Sequence, residues 1–361
     1  MNRPDTAPDM DLTIPAIYHP DMPDFLPRLL QTQALQRIAH VGMNCGCEYT
    51  QMHPWAGIGA YSRLQHSIGV ALIVWHFTHD VQQAVAGLLH DIATPVFAHV
   101  IDFMNGDHLT QESTETDTRR VIDADAGLQA QLARLGLTTD DVADYHRFPI
   151  ADNPTPRLSA DRLEYTLGNI VNYGFAGHRE VSRIYDDLTV MHNEQGQPEL
   201  GFAHTEPARA FGSLMLRCSQ VYVSDQDRYA MQRLALLIAG AVRQGVIGRA
   251  DLMTTEPQII SRLSENHNTA EAWRAFCALR KTSRSAHPQQ QGLWLKIPAK
   301  KRHIDPLVRC SEGLPKRLSS LEPQFASDLH RFLQSDFDYW VGDAETTNST
   351  EHHENKSDKY I

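Results

Sequence analysis

The residues best able to do chemistry are two histidines and two aspartates, in the order His66, His90-Asp91, Asp161. His90-Asp91 closes the apolar run Ala84-Val85-Ala86-Gly87-Leu88-Leu89, so an imidazole and a carboxylate leave the last turn of a buried helix side by side. Polar groups at that depth need water, a ligand or one another. Alone, a His-Asp pair would do no more than cap its helix. His66, within Arg63-Leu64-Gln65-His66-Ser67-Ile68-Gly69, and Asp161, within Ser159-Ala160-Asp161-Arg162-Leu163-Glu164-Tyr165, each add a donor on or beside a helical stretch. Two neutral imidazoles and two carboxylates make a mixed nitrogen and oxygen set that suits a divalent cation: Mn, Fe, Co, Ni, Zn or Mg.

Three helices must position these donors. Tyr61 to Thr78 carries Ile68, Val70, Ala71, Ile73, Val74 and Phe77 as apolar faces, with Arg63 and His66 one turn apart on one side. A surface arginine would satisfy that spacing. An arginine facing the metal pocket would also hold two phosphate oxygens with its planar fork. The third helix follows a turn-rich passage marked by Pro149, Pro154 and Pro156, so Asp161 comes from an independently placed element and ties the bundle together. On it Asp161, Tyr165 and Asn169 fall along one face, where Tyr165 equally suits the edge of an apolar core.

Over about residues 55 to 175 the chain resembles the HD-domain metal-dependent phosphohydrolases. Arg63 to Asp102 looks most like the deoxynucleoside triphosphate triphosphohydrolase branch. The resemblance implies a helical HD-domain bundle with His66, His90, Asp91 and Asp161 around the metal and a nucleotide as substrate. It places His99 where the branch has a phosphate-contacting histidine and Asp102 where it has an acidic residue that assists catalysis. It places Tyr165 and Asn169 at positions that contact the sugar, the second being an amide here. The branch carries a further histidine in the turn after its His-Asp pair, where this chain has Thr94, and a His-Glu pair further on, where it has Gln111-Glu112. His108 stands one helical turn before Glu112. A leaving oxygen needs a proton donor, so His99 or His108 is expected to supply the proton. Two other readings follow from the same residues. One is an HD-family oxygenase with two irons, drawing further ligands from His99, His108, Glu112 and His146. The other is a nucleotide sensor without turnover.

Composition narrows the class. The 361 residues are 42% hydrophobic with no apolar run near 18 residues, which predicts a globular protein without a transmembrane span. Met1 to Met22 is rich in Asp and Pro and lacks a basic stretch followed by an apolar core, so the cytoplasm is the expected location. Of five cysteines only Cys45 and Cys47 are close in sequence, a poor zinc signature that predicts reduced thiols. The net charge of −11, from 44 acidic and 33 basic residues, argues against a general nucleic-acid coat protein. The cluster Lys300, Lys301, Arg302 and His303 could bind phosphate or nucleic acid, or form a solvated surface. A homo-oligomer is compatible with these features.

In order, the chain reads as an extended arm over 1–22, an HD-domain core over 23–190, a hairpin and helical extension packed on that core over 191–342, and a disordered tail over 343–361. The first amphipathic helix is expected over Asp24 to His40 and a loop over Gly42 to Gly59. A β-hairpin is expected at Leu188 to His192 and Leu200 to Ala203, helices at Glu206 to Cys218 and Tyr229 to Val246, and two more before residue 280. A polar loop should span Thr282 to Gln291, a strand Leu293 to Ile297 and a last helix Leu321 to Leu333. The fold class is mainly α, with a small β-hairpin and additional C-terminal helices.

Overall fold

Ser62 opens the central helix, Arg63–Thr78, with a capping box: its hydroxyl accepts from the Gln65 amide while the Gln65 side chain accepts from the Ser62 amide. From Arg63 to Val74 all but Gln65 are buried, so this helix is wrapped on every side rather than on one stripe. Val81–Leu89, capped by Asp80, and Ala160–Asn172, capped by Ser159, pack against it. In the computed structural model, which describes residues 15–106 and 117–343, the chain is mainly α-helical with two small sheets. No helix among the described residues is long and apolar enough to cross a membrane.

Two apolar cores flank the site. The first gathers the central helices with Thr205–Tyr222 and Pro323–Leu333. The second gathers Val100–Asn105, Asp225–Arg243, Glu256–Glu265 and Ala270–Cys277. Each draws on distant parts of the chain, so the C-terminal elements build walls of the same cavity as the central helices.

Several local expectations are corrected. The extended arm gives way at Pro15–Tyr18 to a helical turn, which Pro15 can begin because the first helical amide needs no intrahelical partner. Tyr18 is fully buried, its ring 5.3 Å from that of Tyr185. The single helix expected over Asp24 to His40 is two, Leu26–Leu29 and Gln33–Ile38, because Thr32 adopts an extended backbone and its hydroxyl donates to Leu29 O. The loop over Gly42 to Gly59 contains a 3-10 turn, Cys47–Tyr49.

The hairpin Leu188–His192 with Pro198–Phe202 forms as expected, and Leu307–Val308 then adds to it in parallel at Gly201 and Phe202. Glycine is required at that edge, since a Cβ on Gly201 would lie 2.8 Å from Leu307 O. The expected loop at Thr282 to Gln291 begins with a strand, Thr282–Ser285, paired antiparallel with Trp340–Asp343. Its partner is far away in sequence, and Thr-Ser-Arg-Ser has no apolar alternation to betray a strand. The strand expected at Leu293 to Ile297 shortens to Trp294–Leu295 on the other side of the same partner. His108, Gln111 and Glu112 lie outside the described residues, as do 1–14 and the expected tail beyond Asp343.

Candidate metal centre

Three helix ends converge on one point. His66 sits in the first turn of Arg63–Thr78, His90 caps the C-terminus of Val81–Leu89, and Asp161 opens Ala160–Asn172. His66 Nε2 lies 3.2 Å from His90 Nε2 and 3.1 Å from Asp161 Oδ1, and His90 Nε2 lies 3.7 Å from Asp161 Oδ1. Ligands bound at about 2.1 Å to one ion stand roughly 3–3.5 Å apart, so these donors span the edges of one coordination shell. Among the described residues this is the one group of three such donors within 4.8 Å of one another. Asp91 joins its rim, with Oδ2 3.8 Å from His66 Nε2 and 3.6 Å from His90 Nε2.

The orientation of each imidazole has a cause. His90 Nδ1 donates to Gly87 O at 2.7 Å, which leaves Nε2 for the site. His66 Nδ1 is held by Glu164, a carboxylate 1% exposed that also accepts from the Tyr61 hydroxyl at 2.5 Å. Glu164 lies one helical turn beyond Asp161, yet nothing local in the sequence marks it as a partner of His66 on another helix. A carboxylate behind a ligating histidine fixes the ring and raises its basicity. Gly69 makes room for it, since a Cβ there would stand 2.5 Å from Glu164 Cγ. Burial opposes charge on His66, but Glu164 and then Asp161 outweigh it and bring its pKa up to about 10. Burial likewise opposes charge on Asp161, which the His66 hydrogen bond and the charge of His90 bring down to about 2. A partly buried cluster whose carboxylates gather positive charge fits a divalent cation.

Asp91 is doubly engaged. Arg63 Nη1 donates to Oδ2 at 2.8 Å, and Thr94 Oγ1 donates to Oδ1 at 2.8 Å. Arg63, more than any other group, overcomes burial and holds the Asp91 carboxyl well below the usual range. Arg63 therefore faces the cavity while anchoring a donor, and Thr94 orients the same carboxylate.

His99 enters from a strained turn. Phe97 and Ala98 have φ of 59° and 45°, a left-handed conformation that costs roughly 1–3 kcal/mol per residue and persists only when surroundings impose it. Glu256 accepts from the Phe97 amide at 3.1 Å and Leu252 O from the Val96 amide at 2.9 Å, so the C-terminal helices hold the turn. His99 Nδ1 bonds fully buried Asp102 at 2.9 Å, and Arg302 Nη2 lies 3.3 Å from His99 Nε2. Burial, reinforced by Arg302 and Arg63, lowers the His99 pKa against the pull of Asp102. This neutral ring has its hydrogen on Nδ1 and an acceptor at Nε2. His146 pairs with Asp152 at 2.7 Å and stands outside the donor group.

The donors open into a cavity of about 180 Å³. Tyr165 and Asn169 line it, with Asn169 Nδ2 donating to the Tyr222 hydroxyl at 2.8 Å. Trp55, Tyr173 and Tyr222 add aromatic walls, and Asp227, raised to about 8 by burial, closes a further part. Sequence reading singled out none of these four. Cys45 also lines the cavity; burial pushes its thiol up to about 12, and both Cys45 and Cys47 are free. Lys300 and Arg302 line the cavity too, whereas Lys301 turns away.

No protein-family model matches the chain. It is 25% identical over 245 residues to the uncharacterized protein YdhJ of Bacillus subtilis, covering 67% of this chain and 72% of that one. It is 23% identical over 334 residues to the metal-dependent phosphohydrolase cns2 of Cordyceps militaris, covering 86% and 88%. Among solved structures, a hypothetical protein from Aquifex aeolicus superposes with a TM-score of 0.63 at 17% identity, covering 90% of this chain and 93% of that one. A phosphohydrolase from Bacteroides thetaiotaomicron superposes with a TM-score of 0.61 at 15% identity, covering 89% and 96%. These superpositions establish a shared fold.

Proposed function

We propose that this chain is an HD-type metal-dependent phosphohydrolase whose substrate is a phosphorylated small molecule, with a nucleotide as the favoured class. The observation that carries the reading is the convergence of His66, His90 and Asp161 beside Asp91 in a cavity that also receives Arg63. Similarity to a fungal metal-dependent phosphohydrolase over most of both chains supports it, and the aromatic walls suit a base or sugar. His66, His90, Asp91 and Asp161 would hold one divalent ion. Such an ion would lower the pKa of water at the site and neutralise charge developing on phosphorus.

The side chains carry the remaining work. Glu164 and Gly87 O keep both Nε2 atoms turned inward. Arg63 fixes the Asp91 carboxylate and offers its remaining donors to a phosphate oxygen. His99, neutral and backed by Asp102, is an acceptor: it takes a hydrogen bond or a proton at Nε2 rather than giving one. His99→Gln should therefore lower turnover by about 10²-fold, within the range for general acid–base groups, and by the same factor on an alkyl phosphate and an activated aryl phosphate. A loss confined to the alkyl phosphate would make His99 the proton donor.

The reading is tested by screening purified, metal-stripped protein reloaded with Mn, Mg, Co, Ni, Zn or Fe against nucleoside mono-, di- and triphosphates. Products are separated as phosphate, pyrophosphate and triphosphate. Metal-dependent release of one of them is expected; tight nucleotide binding without release under every metal would make the chain a sensor, and two irons with oxygen-dependent turnover an oxygenase.

A further inference from the structure

We propose that Lys300 and Arg302 form a clamp for the substrate's phosphate, carried over the cavity by the 298–302 segment and locked in place by Lys301. The inference rests on the phosphohydrolase reading and names the residues of the C-terminal chain that bind the anion.

The basic run is contiguous in sequence but divided in space. Lys301 Nζ donates to Leu333 O at 2.5 Å, the last carbonyl of the Pro323–Leu333 helix, and to Ser335 O at 2.7 Å just beyond it. A cation there satisfies a carbonyl the helix leaves unbonded and matches its dipole. Lys300 and Arg302, on either side, face the cavity that holds His66, His90 and Asp161. Lys301, bonded to those two carbonyls, is held away from the cavity that Lys300 and Arg302 line. The segment is pinned at both ends as well: Ile297 is buried in the second core and Ile304 in the first. It bridges the two cores directly above the site.

The placement of Arg302 adds a functional constraint. Its Nη2 lies 3.3 Å from His99 Nε2, so the guanidinium already stands where a phosphate on the metal side would meet Arg63 and His99. Its fork can take two oxygens of one phosphate, while Lys300 contributes a point charge. A nucleic-acid backbone would need a continuous exposed basic face. Here the middle cation is spent on a helix terminus and the outer two point into a cavity, which favours a free phosphate or pyrophosphate group on a small molecule.

Calorimetric titration of the Mn-loaded protein with pyrophosphate tests the clamp. Arg302→Gln and Lys300→Gln are each expected to weaken binding by about tenfold or more, and the double variant further, with metal content unchanged. Arg302→Lys keeps the charge without the fork, serves if the Gln variant loses stability, and should still bind several-fold more weakly. Variants that bind pyrophosphate as tightly as wild type, in a protein that hydrolyses phosphate esters, would overturn the clamp and leave the hydrolase reading standing. Wild-type protein that neither binds pyrophosphate nor releases phosphate would overturn both. A single-stranded oligonucleotide that binds more tightly than pyrophosphate, and is lost in the same variants, would overturn the small-molecule assignment.

Discussion

His90→Ala should strip the protein of its stoichiometric divalent metal on dialysis and lower phosphohydrolase turnover by about 10³-fold or more, because a metal contributes several kcal/mol of charge stabilisation. His90 is the most informative ligand to remove. Its ring hydrogen-bonds Gly87 O and otherwise meets the donors around it, so the alanine variant leaves the buried Arg63–Asp91 pair intact. Asp91→Ala is a poorer test, since it leaves the buried Arg63 guanidinium without its carboxylate, and breaking such a pair costs about 3–5 kcal/mol of stability. Metal content by elemental analysis, with thermal unfolding as the control for folding, decides the matter. A His90→Ala protein that retains one tightly held metal and wild-type turnover would place the chemistry elsewhere.

Glu164→Gln should weaken metal binding by about 10–100-fold, the usual consequence of removing the carboxylate behind a ligating histidine. His66 Nδ1 and the Tyr61 hydroxyl both bond Oε2, so the amide oxygen can accept from both but without its negative charge, and the protein should also lose about 1–3 kcal/mol of stability as those charge-assisted bonds weaken. Glu164→Ala goes further, leaving His66, Tyr61 and the more distant Tyr18 hydroxyl facing an emptied, water-poor space. Metal affinity by competition with a chromogenic chelator and unfolding in urea separate the two effects. Lower stability with unchanged metal affinity would reduce Glu164 to a packing residue and detach it from His66.

The elements that bear the donors could be read locally because each is announced within a few residues. Ser62 and Gln65 form their capping box within one turn, and the apolar run before His90 signals a buried helix end. The hairpin at Leu188–His192 and Pro198–Phe202 is likewise announced by its polar turn with Gly196 and the Pro198 that follows it. The short strands could not be read in this way. Thr282–Ser285 is a strand because Trp340–Asp343 pairs with it, and Trp340–Asp343 because it lies between Thr282–Ser285 and Trp294–Leu295; none of these pairings is carried in the segments' own composition.

The same division runs through the site. Residue types, their order and the helices that carry them are legible locally, since helical periodicity is a local property of the chain. Tertiary structure alone decided who meets whom. Glu164 stands behind His66 because two helices cross there; Arg63 is tied to Asp91 because two helix ends converge; Thr94 orients that same carboxylate. The basic run at 300–302 reads as one patch in sequence and becomes two cavity cations and one helix cap in space. Whether a polar side chain becomes a ligand, a brace or a surface charge depends on burial and on partners far along the chain, which are fixed only when the two cores close around the cavity.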